Sequence, residues 1–476
     1  VTPTRAIDRS EASPDAGIAS SDPLGPRPST PEPAPFLPPT PVVFRGPNGV
    51  AVWLIERHSA PLISCDLAFP WGAAADPVGK AGLAYVTARM LTEGAGDRGA
   101  IELSRAIGDL GAKLETNVDD DGSFVALTAL KRNLRKAMAL FSDVVVRPRL
   151  DAGEFARLKD LWTSELEEKK KDADATAAVV FRAALFGSGH PYGHPPDGLP
   201  ETAKTIGIAD VRSAYAANFR ADEATLVCAG DLTQADLQEL LQASLGPWRS
   251  SGSPPRPVAP EPPRGPWPRL VLVDRPGAPQ SVVAAVRIGV AASDPAEPIL
   301  WRVNDAIGGS FTSRLNQDLR ERRGITYGAR SSYWVTRGPG ELSASADVVS
   351  DKTAEALDAL VGDLETFARS GLTNDETDRT RSQSRAHLIG IYESVEAIAQ
   401  HLAENAALGL PPEWDVRASD ARDAASKREL DALACRFYDP KDAVLVVVGP
   451  RASIQPTLEK RGVPIDFRDS EGRPLR

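Results

Sequence analysis

Arg320 and Tyr327 lie seven positions apart in the stretch GGSFTSRLNQDLRERRGITYGARSSY, residues 308–333. A guanidinium is a permanent cation with a fixed fork of donors, and a phenol is a neutral donor. Brought to one oxygen atom, the two can hold a carbonyl in place and stabilise negative charge developing on it. The elements that must position them follow from the pattern. Phe311, Leu315 and Leu319 recur every four residues, which predicts one face of a helix. Arg320, Arg322 and Arg323 crowd its last turn, where cations suit the helix dipole, and Gly324 is a good left-handed stop. Ile325, Tyr327 and Ala329 then alternate with Thr326 and Gly328, the period of a strand. Taken alone, the stretch reads more simply as a charge cluster before an ordinary strand tyrosine.

The chain around it is too long, at 476 residues, for a single core, so two or more domains are expected. A net charge of −10 with no basic stripe argues against general nucleic-acid binding. No apolar run approaches the ~20 residues of a membrane helix, and the best, residues 443–448, reads as a buried strand. Cys65, Cys228 and Cys435 are far apart and lack CxxC spacing. Cys65 and Cys228 fall in apolar strand-like runs, which predicts buried thiols rather than a disulfide framework. Residues 1–41 are rich in Pro, Ser and Ala and predict a disordered or extended tether. With no initiator Met before Val1, a removed leader or a trimmed end is expected. A tether behind a leader fits a periplasmic or exported protein, the alternative being a soluble cytoplasmic one.

Strands are expected at 50–55 and 62–70, and a buried helix at 80–91. A second helix follows at 101–110, with strands at 112–118 and 123–130 around an Asp-Asp-Asp-Gly turn. After a helix at 133–145, Asp151 and Glu154 form a capping box for a long helix expected to reach Phe186. His190–Pro196 reads as a loop, 208–218 as a helix, 224–229 as a strand and 234–245 as a helix. Residues 250–268, SSGSPPRPVAPEPPRGPWP, are too rich in proline for helix or central strand and predict a semi-rigid linker. Beyond it the plan repeats. Strands at 269–274 and 281–289 match the first two, and a helix at 299–307 and a strand at 340–348 flank the opening stretch. Another capped long helix begins near Thr373. NFRADEATLVCAG (218–230) resembles RFYDPKDAVLVVVG (436–449) with one inserted residue. The fold class expected is α+β: two homologous domains, 42–249 and 269–455, each a mainly antiparallel sheet covered by helices, with a tail at 456–476.

Gly82-Leu83-Ala84-Tyr85-Val86-Thr87-Ala88-Arg89-Met90-Leu91, on the predicted buried helix, resembles the zinc-motif segment of the pitrilysin/insulinase metallopeptidases, the inverzincins. The resemblance runs over roughly residues 42–455, and the loop His190-Pro191-Tyr192-Gly193 supports it. Where the family carries H-x-x-E-H, this chain has Tyr85 and Arg89 at the histidine positions and Ala88 at the general-base glutamate. Glu165, 76 residues after Arg89, falls at the spacing of the third ligand. Zinc needs imidazole, thiolate or carboxylate donors, and an arginine repels it. The substitutions therefore predict no metal in this chain and a partly buried Arg89–Glu165 ion pair in its place. His58, His190, His194, His387 and His401 are not assigned to metal either.

In the same family, complete assemblies use an Arg and a Tyr, seven apart, from the C-terminal half. The resemblance places them at Arg320 and Tyr327 and implies a non-catalytic subunit of a bacterial two-chain peptidase, inactive alone. Its implied partner is a homologue that carries zinc and the intact motif, and its implied substrate an unfolded peptide. Residues 112–118 correspond to the family's substrate-pairing edge strand, a role not assigned here without a metal beside it. The alternatives are a purely structural subunit, like the core proteins of respiratory complexes with this fold, and a peptide-binding homodimer without hydrolysis.

Overall fold

Alternating apolar residues build the two sheets that carry everything else. The computed structural model describes residues 36–250, 260, 261, 263, 265 and 269–475. The expected tether, up to residue 35, and most of the proline-rich linker lie outside the described residues. In the first half the strands are β1 (Val42–Arg45), β2 (Ala51–Glu56), β3 (Leu62–Phe69), the short ladder β4 (Gly94–Ala95) and β5 (Arg98–Gly99), β6 (Lys113–Val118), β7 (Ser123–Leu130) and β8 (Thr225–Gly230). Its helices are α1 (Leu83–Met90), α2 (Ala100–Asp109), α3 (Leu134–Val146), α4 (Ala152–Lys169), α5 (Ala173–Leu185), α6 (Pro200–Thr205), α7 (Ile208–Asn218) and α8 (Gln234–Ser244). The second half has strands β9 (Leu270–Asp274), β10 (Gln280–Ile288), β11 (Thr326–Trp334), β12 (Glu341–Val349), β13 (Val444–Gly449) and β14 (Ile465–Arg468). Its helices are α9 (Glu297–Asn304), α10 (Thr353–Ser370), α11 (Asn374–Ile391), α12 (Val395–Ala407), α13 (Trp414–Ala424), α14 (Lys427–Tyr438) and α15 (Arg451–Leu458).

The sheets have the orders β1-β2-β8-β3-β7-β6 and β11-β12-β10-β13-β9-β14. Read from opposite ends they are one plan, with β6 and β11 as equivalent edges. The sixth strand differs: β1 joins β2 antiparallel, whereas β14 joins β9 parallel. The closing segment, set apart in the sequence as a tail, thus completes the second sheet.

Along β3, Ile63, Cys65, Leu67 and Phe69 face a core shared with α1, α3 and α4. Ser64, Asp66 and Ala68 alternate onto the other face, as the strand period requires. That face is covered by α12 from the second half. The second sheet is treated reciprocally. One face packs on α10 and α14, and the other on Ala177, Val180, Phe181 and Ala184 of α5 from the first half. Each half lends a helix to the other half's sheet, and burying side chains the size of Val or Phe is worth about 1.5–3 kcal/mol apiece.

Three expectations are corrected. The helix after Asp151 does not reach Phe186: it ends at Lys169, and Asp172 caps a new helix through a 2.7 Å bond from the Ala175 amide. A short Asp side chain competes for backbone amides at such a junction, and the break lets α5 cross to the second sheet. Cys65 and Cys228 are not thiols but a disulfide. β3 and β8 are antiparallel neighbours that set the two residues directly opposite, with Cα atoms 4.1 Å apart, a pairing 163 residues of sequence concealed. Finally, Phe311 does not share the buried face of Leu315 and Leu319. It lies in the turn before the helix, 66 % exposed, while both leucines are fully buried.

Candidate functional site

The first candidate position is α1, whose N-terminus is held by Asp76. That carboxylate accepts the amides of Gly82, Leu83 and Ala84 at 2.8, 3.0 and 2.8 Å, satisfying donors that a helix start leaves free. One turn on, Tyr85 packs beside Trp162 of α4, with ring centroids 6.1 Å apart. Arg89 lies one further turn along the same face and donates to the Tyr85 hydroxyl at 3.2 Å. Its Nη1 meets Glu165 Oε2 at 2.7 Å and its Nη2 approaches Oε1 at 3.4 Å. The expected ion pair is therefore present, half-buried. The Ala88 methyl is buried and offers no donor. These residues do not fit a zinc ion: a guanidinium occupies the one carboxylate, and an arginine repels a metal cation. Among the described residues no cluster of three or more His, Cys, Asp or Glu side chains is arranged to hold a metal.

The second position is built by the segment before β11. A π-helical turn, Asn316–Arg322, buries Leu319 and carries Arg320 outward. Asp318, itself buried, binds Arg322 at 3.1 Å and Arg323 at 2.6 Å. Arg320 is left with a 3.3 Å contact to its exposed neighbour Glu321, and its guanidinium stacks 4.2 Å from the centre of the Phe311 ring. Tyr327 does not follow the strand alternation expected of it. The pairing of β11 with β12 shifts between Thr326 and Ala329, a bulge that throws the Tyr327 side chain into solvent, 90 % exposed, between buried Ile325 and buried Ala329. A bulge re-aims a side chain in this way at many functional sites. No hydrogen bond joins Arg320 to Tyr327 among the described residues; both stand at the surface, on neighbouring elements.

Asn316 ties those elements together, and its role is not legible in the sequence. Its buried side chain donates to the Ala329 carbonyl at 2.8 Å and accepts the Ala329 amide at 3.0 Å, mimicking a strand partner. Thr326 locks the bulge, donating to the Asp347 carbonyl at 2.7 Å and accepting the Gly328 amide at 3.1 Å. An asparagine in a turn of helix carries no signal of its own until the strand beside it is known.

The Asp-Asp-Asp-Gly turn between β6 and β7 also exceeds its sequence reading. Asp120 binds Arg182 of α5 at 2.6 and 3.0 Å and accepts the Trp334 indole N–H, at the far end of β11, at 2.7 Å. Asp121 accepts the Tyr192 hydroxyl at 3.0 Å and the Arg337 amide at 2.6 Å. Asp119 closes the turn through the Asp121 and Gly122 amides, and its burial beside Asp120 pushes its carboxyl up to about 7. The His190–Gly193 loop, through Tyr192, thus serves the joint between the halves.

Two equivalent sheets, each covered by helices, are the two-domain plan of peptidase-like proteins of the insulinase type. Residues 51–188 match the insulinase (peptidase family M16) family and residues 205–384 the peptidase M16 inactive domain. The chain belongs to the M16 peptidase family. It is 27 % identical over 315 residues to an uncharacterized zinc protease of Mycobacterium tuberculosis, covering 65 % of this chain and 70 % of that one. Its fold matches the peptidase M16 inactive domain from Pseudomonas fluorescens with a TM-score of 0.77 at 21 % identity, over 86 % of this chain and 98 % of the other. A protease from Helicobacter pylori superposes with a TM-score of 0.79 at 17 % identity, over 86 % and 99 %. No helix among the described residues is long and apolar enough to cross a membrane.

Proposed function

We propose that this chain is the non-catalytic subunit of a two-chain zinc metallopeptidase that cleaves unfolded peptides. Its own metal position holds the Arg89–Glu165 pair, so the metal, the attacking water and the general base come from a homologue with an intact H-x-x-E-H. This chain supplies Arg320 and Tyr327. The guanidinium orients a substrate carbonyl, and the phenol donates to the oxygen on which negative charge develops. The observation that carries the reading is the exposure of Tyr327 on a bulge that Asn316 and Thr326 hold firmly, beside an arginine stacked on an equally exposed Phe311. A purely structural subunit has no need of an ordered device that presents a phenol and a guanidinium to solvent. The Cys65–Cys228 disulfide supports the exported or periplasmic location expected of it, because such bonds persist in oxidising compartments.

The test is a titration. Added to the motif-bearing homologue, this chain raises cleavage of an unfolded peptide until the two are equimolar. A homologue with the same activity alone as in the mixture rules the proposal out.

A further inference from the structure

We propose that Phe311 is a positioning residue for Arg320: its exposed ring lies against the guanidinium and aims the Nη edge at the substrate carbonyl. The proposal rests on the peptidase-subunit reading above and adds to it a residue that acts through Arg320. Phe311 does not serve the core, being 66 % exposed while Leu315 and Leu319 behind it are fully buried. The backbone on both sides of it is nevertheless tied down. The Ser310 carbonyl accepts the Ser313 amide at 3.1 Å and Asn316 Nδ2 at 3.2 Å. The Thr312 carbonyl accepts Gln317 Nε2 and, from α11, Arg379 Nη1, each at 3.3 Å. Gly308, three residues earlier, lies so close to β11 that a methyl group on it would stand 2.4 Å from the Ser331 amide nitrogen.

The same Asn316 Nδ2 that holds Ser310 also donates to the Ala329 carbonyl at 2.8 Å. One side-chain amide therefore ties the turn that carries Phe311 to the strand that carries Tyr327. Arg320 has little else to orient it. Buried Asp318 is taken by Arg322 and Arg323, and the acid beside Arg320 is Glu321, 3.3 Å from Nε and itself exposed. A contact between two exposed side chains fixes little. The Phe311 ring centre lies 4.2 Å from the guanidinium carbon, a face contact to which a planar guanidinium is suited. With the ring against the plane and Glu321 at Nε, the two Nη groups are the ones left to meet a carbonyl.

The experiment measures cleavage of an unfolded peptide by the equimolar assembly with the motif-bearing homologue, with Phe311→Leu, Phe311→Ala or Phe311→Trp in this chain. Leucine keeps apolar bulk and removes the aromatic face, whereas tryptophan keeps the face. Phe311→Leu and Phe311→Ala are each expected to lower kcat about tenfold with KM changed less than about twofold. Phe311→Trp stays within about twofold of wild type. All three melt with wild type, because the ring is at the surface. On an Arg320→Ala background, Phe311→Ala costs nothing further, since the group it positions is gone. Wild-type kcat in both Phe311→Leu and Phe311→Ala overturns the proposal, as does Phe311→Trp as impaired as Phe311→Ala. A tenfold loss that persists on Arg320→Ala also overturns it, because Phe311 then acts on its own. Each of these results leaves the subunit reading standing; a wild-type assembly no faster than the homologue alone overturns both.

Discussion

At the residue scale, the contrast is between charges that are satisfied and charges that are presented. Arg322 and Arg323 close on Asp318, and Arg182 and Arg337 close on the paired aspartates of the β6–β7 turn, whereas Arg320 rests on an aromatic face at the surface. Arg89 belongs to the first group. Its pair with Glu165 is half exposed and therefore screened, so a double-mutant cycle with Arg89→Ala and Glu165→Ala in urea should give a coupling of about 0.5–1 kcal/mol. A coupling within error of zero removes the ion pair as a replacement for the metal. That Ala88 and Arg89 offer nothing to a metal was legible in the sequence, because neither a methyl nor a guanidinium has a lone pair to give at any geometry. The pairing of Cys65 with Cys228 was not, because it depends on which strands become neighbours. Alkylation in denaturant reads it directly: one adduct on the untreated protein, from Cys435, and three after reduction. Three adducts without reductant contradict the bond.

At the scale of elements, the informative features are places where regular structure is interrupted. Periodicity located most strands of both sheets and the longer helices of the first half, since alternation and the four-residue repeat act over many residues at once, but gave no reading of α6, of β14 or of the helices from α12 to α15. It failed at the break between α4 and α5, at the turn bearing Phe311 and at the bulge bearing Tyr327. At the break and at the bulge, side-chain hydrogen bonds override the local pattern: Asp172 caps a new start, and Thr326 and Asn316 stand in for ladder partners. Asn316 is the most consequential of these. Asn316→Ala leaves the Ala329 amide and carbonyl buried without partners, so stability falls by about 2 kcal/mol in denaturant melts. It should also loosen the bulge, lowering cleavage by the paired assembly while leaving the chain folded. A stability loss with no effect on paired cleavage confines Asn316 to a structural role.

At the scale of the molecule, the two halves are interlocked by exchange: α5 covers the second sheet, α12 covers the first, and the Asp120–Asp121 turn clamps the end of β11. Several carboxyls are buried in this joint and behind it. Asp66 and Asp119 are pushed up to about 8 and about 7 in the folded chain, against about 3.9 when unfolded. Between those limits the folded state holds protons that the unfolded state has released, so stability falls as pH rises from about 4 to about 8. Asp151 and Asp210 act oppositely. Backbone amides at Gly153 and Gly207 hold them low, and their contribution is lost as pH falls below about 4. The melting temperature should therefore be higher at pH 5 than at pH 8.5, and Asp66→Asn should flatten that slope; a melting temperature that rises from pH 5 to pH 8.5 contradicts it. The same interlocking fixes β11, and with it Tyr327, relative to the first half, which is what a subunit completing another chain's site requires. The most direct measurement of that role is peptide cleavage by the equimolar assembly with the motif-bearing homologue, using Arg320→Ala and Tyr327→Phe in this chain. Each substitution is expected to lower kcat/KM by about 100–1000-fold with the melting temperature unchanged; paired cleavage at the wild-type rate with both substitutions in place would contradict the assignment.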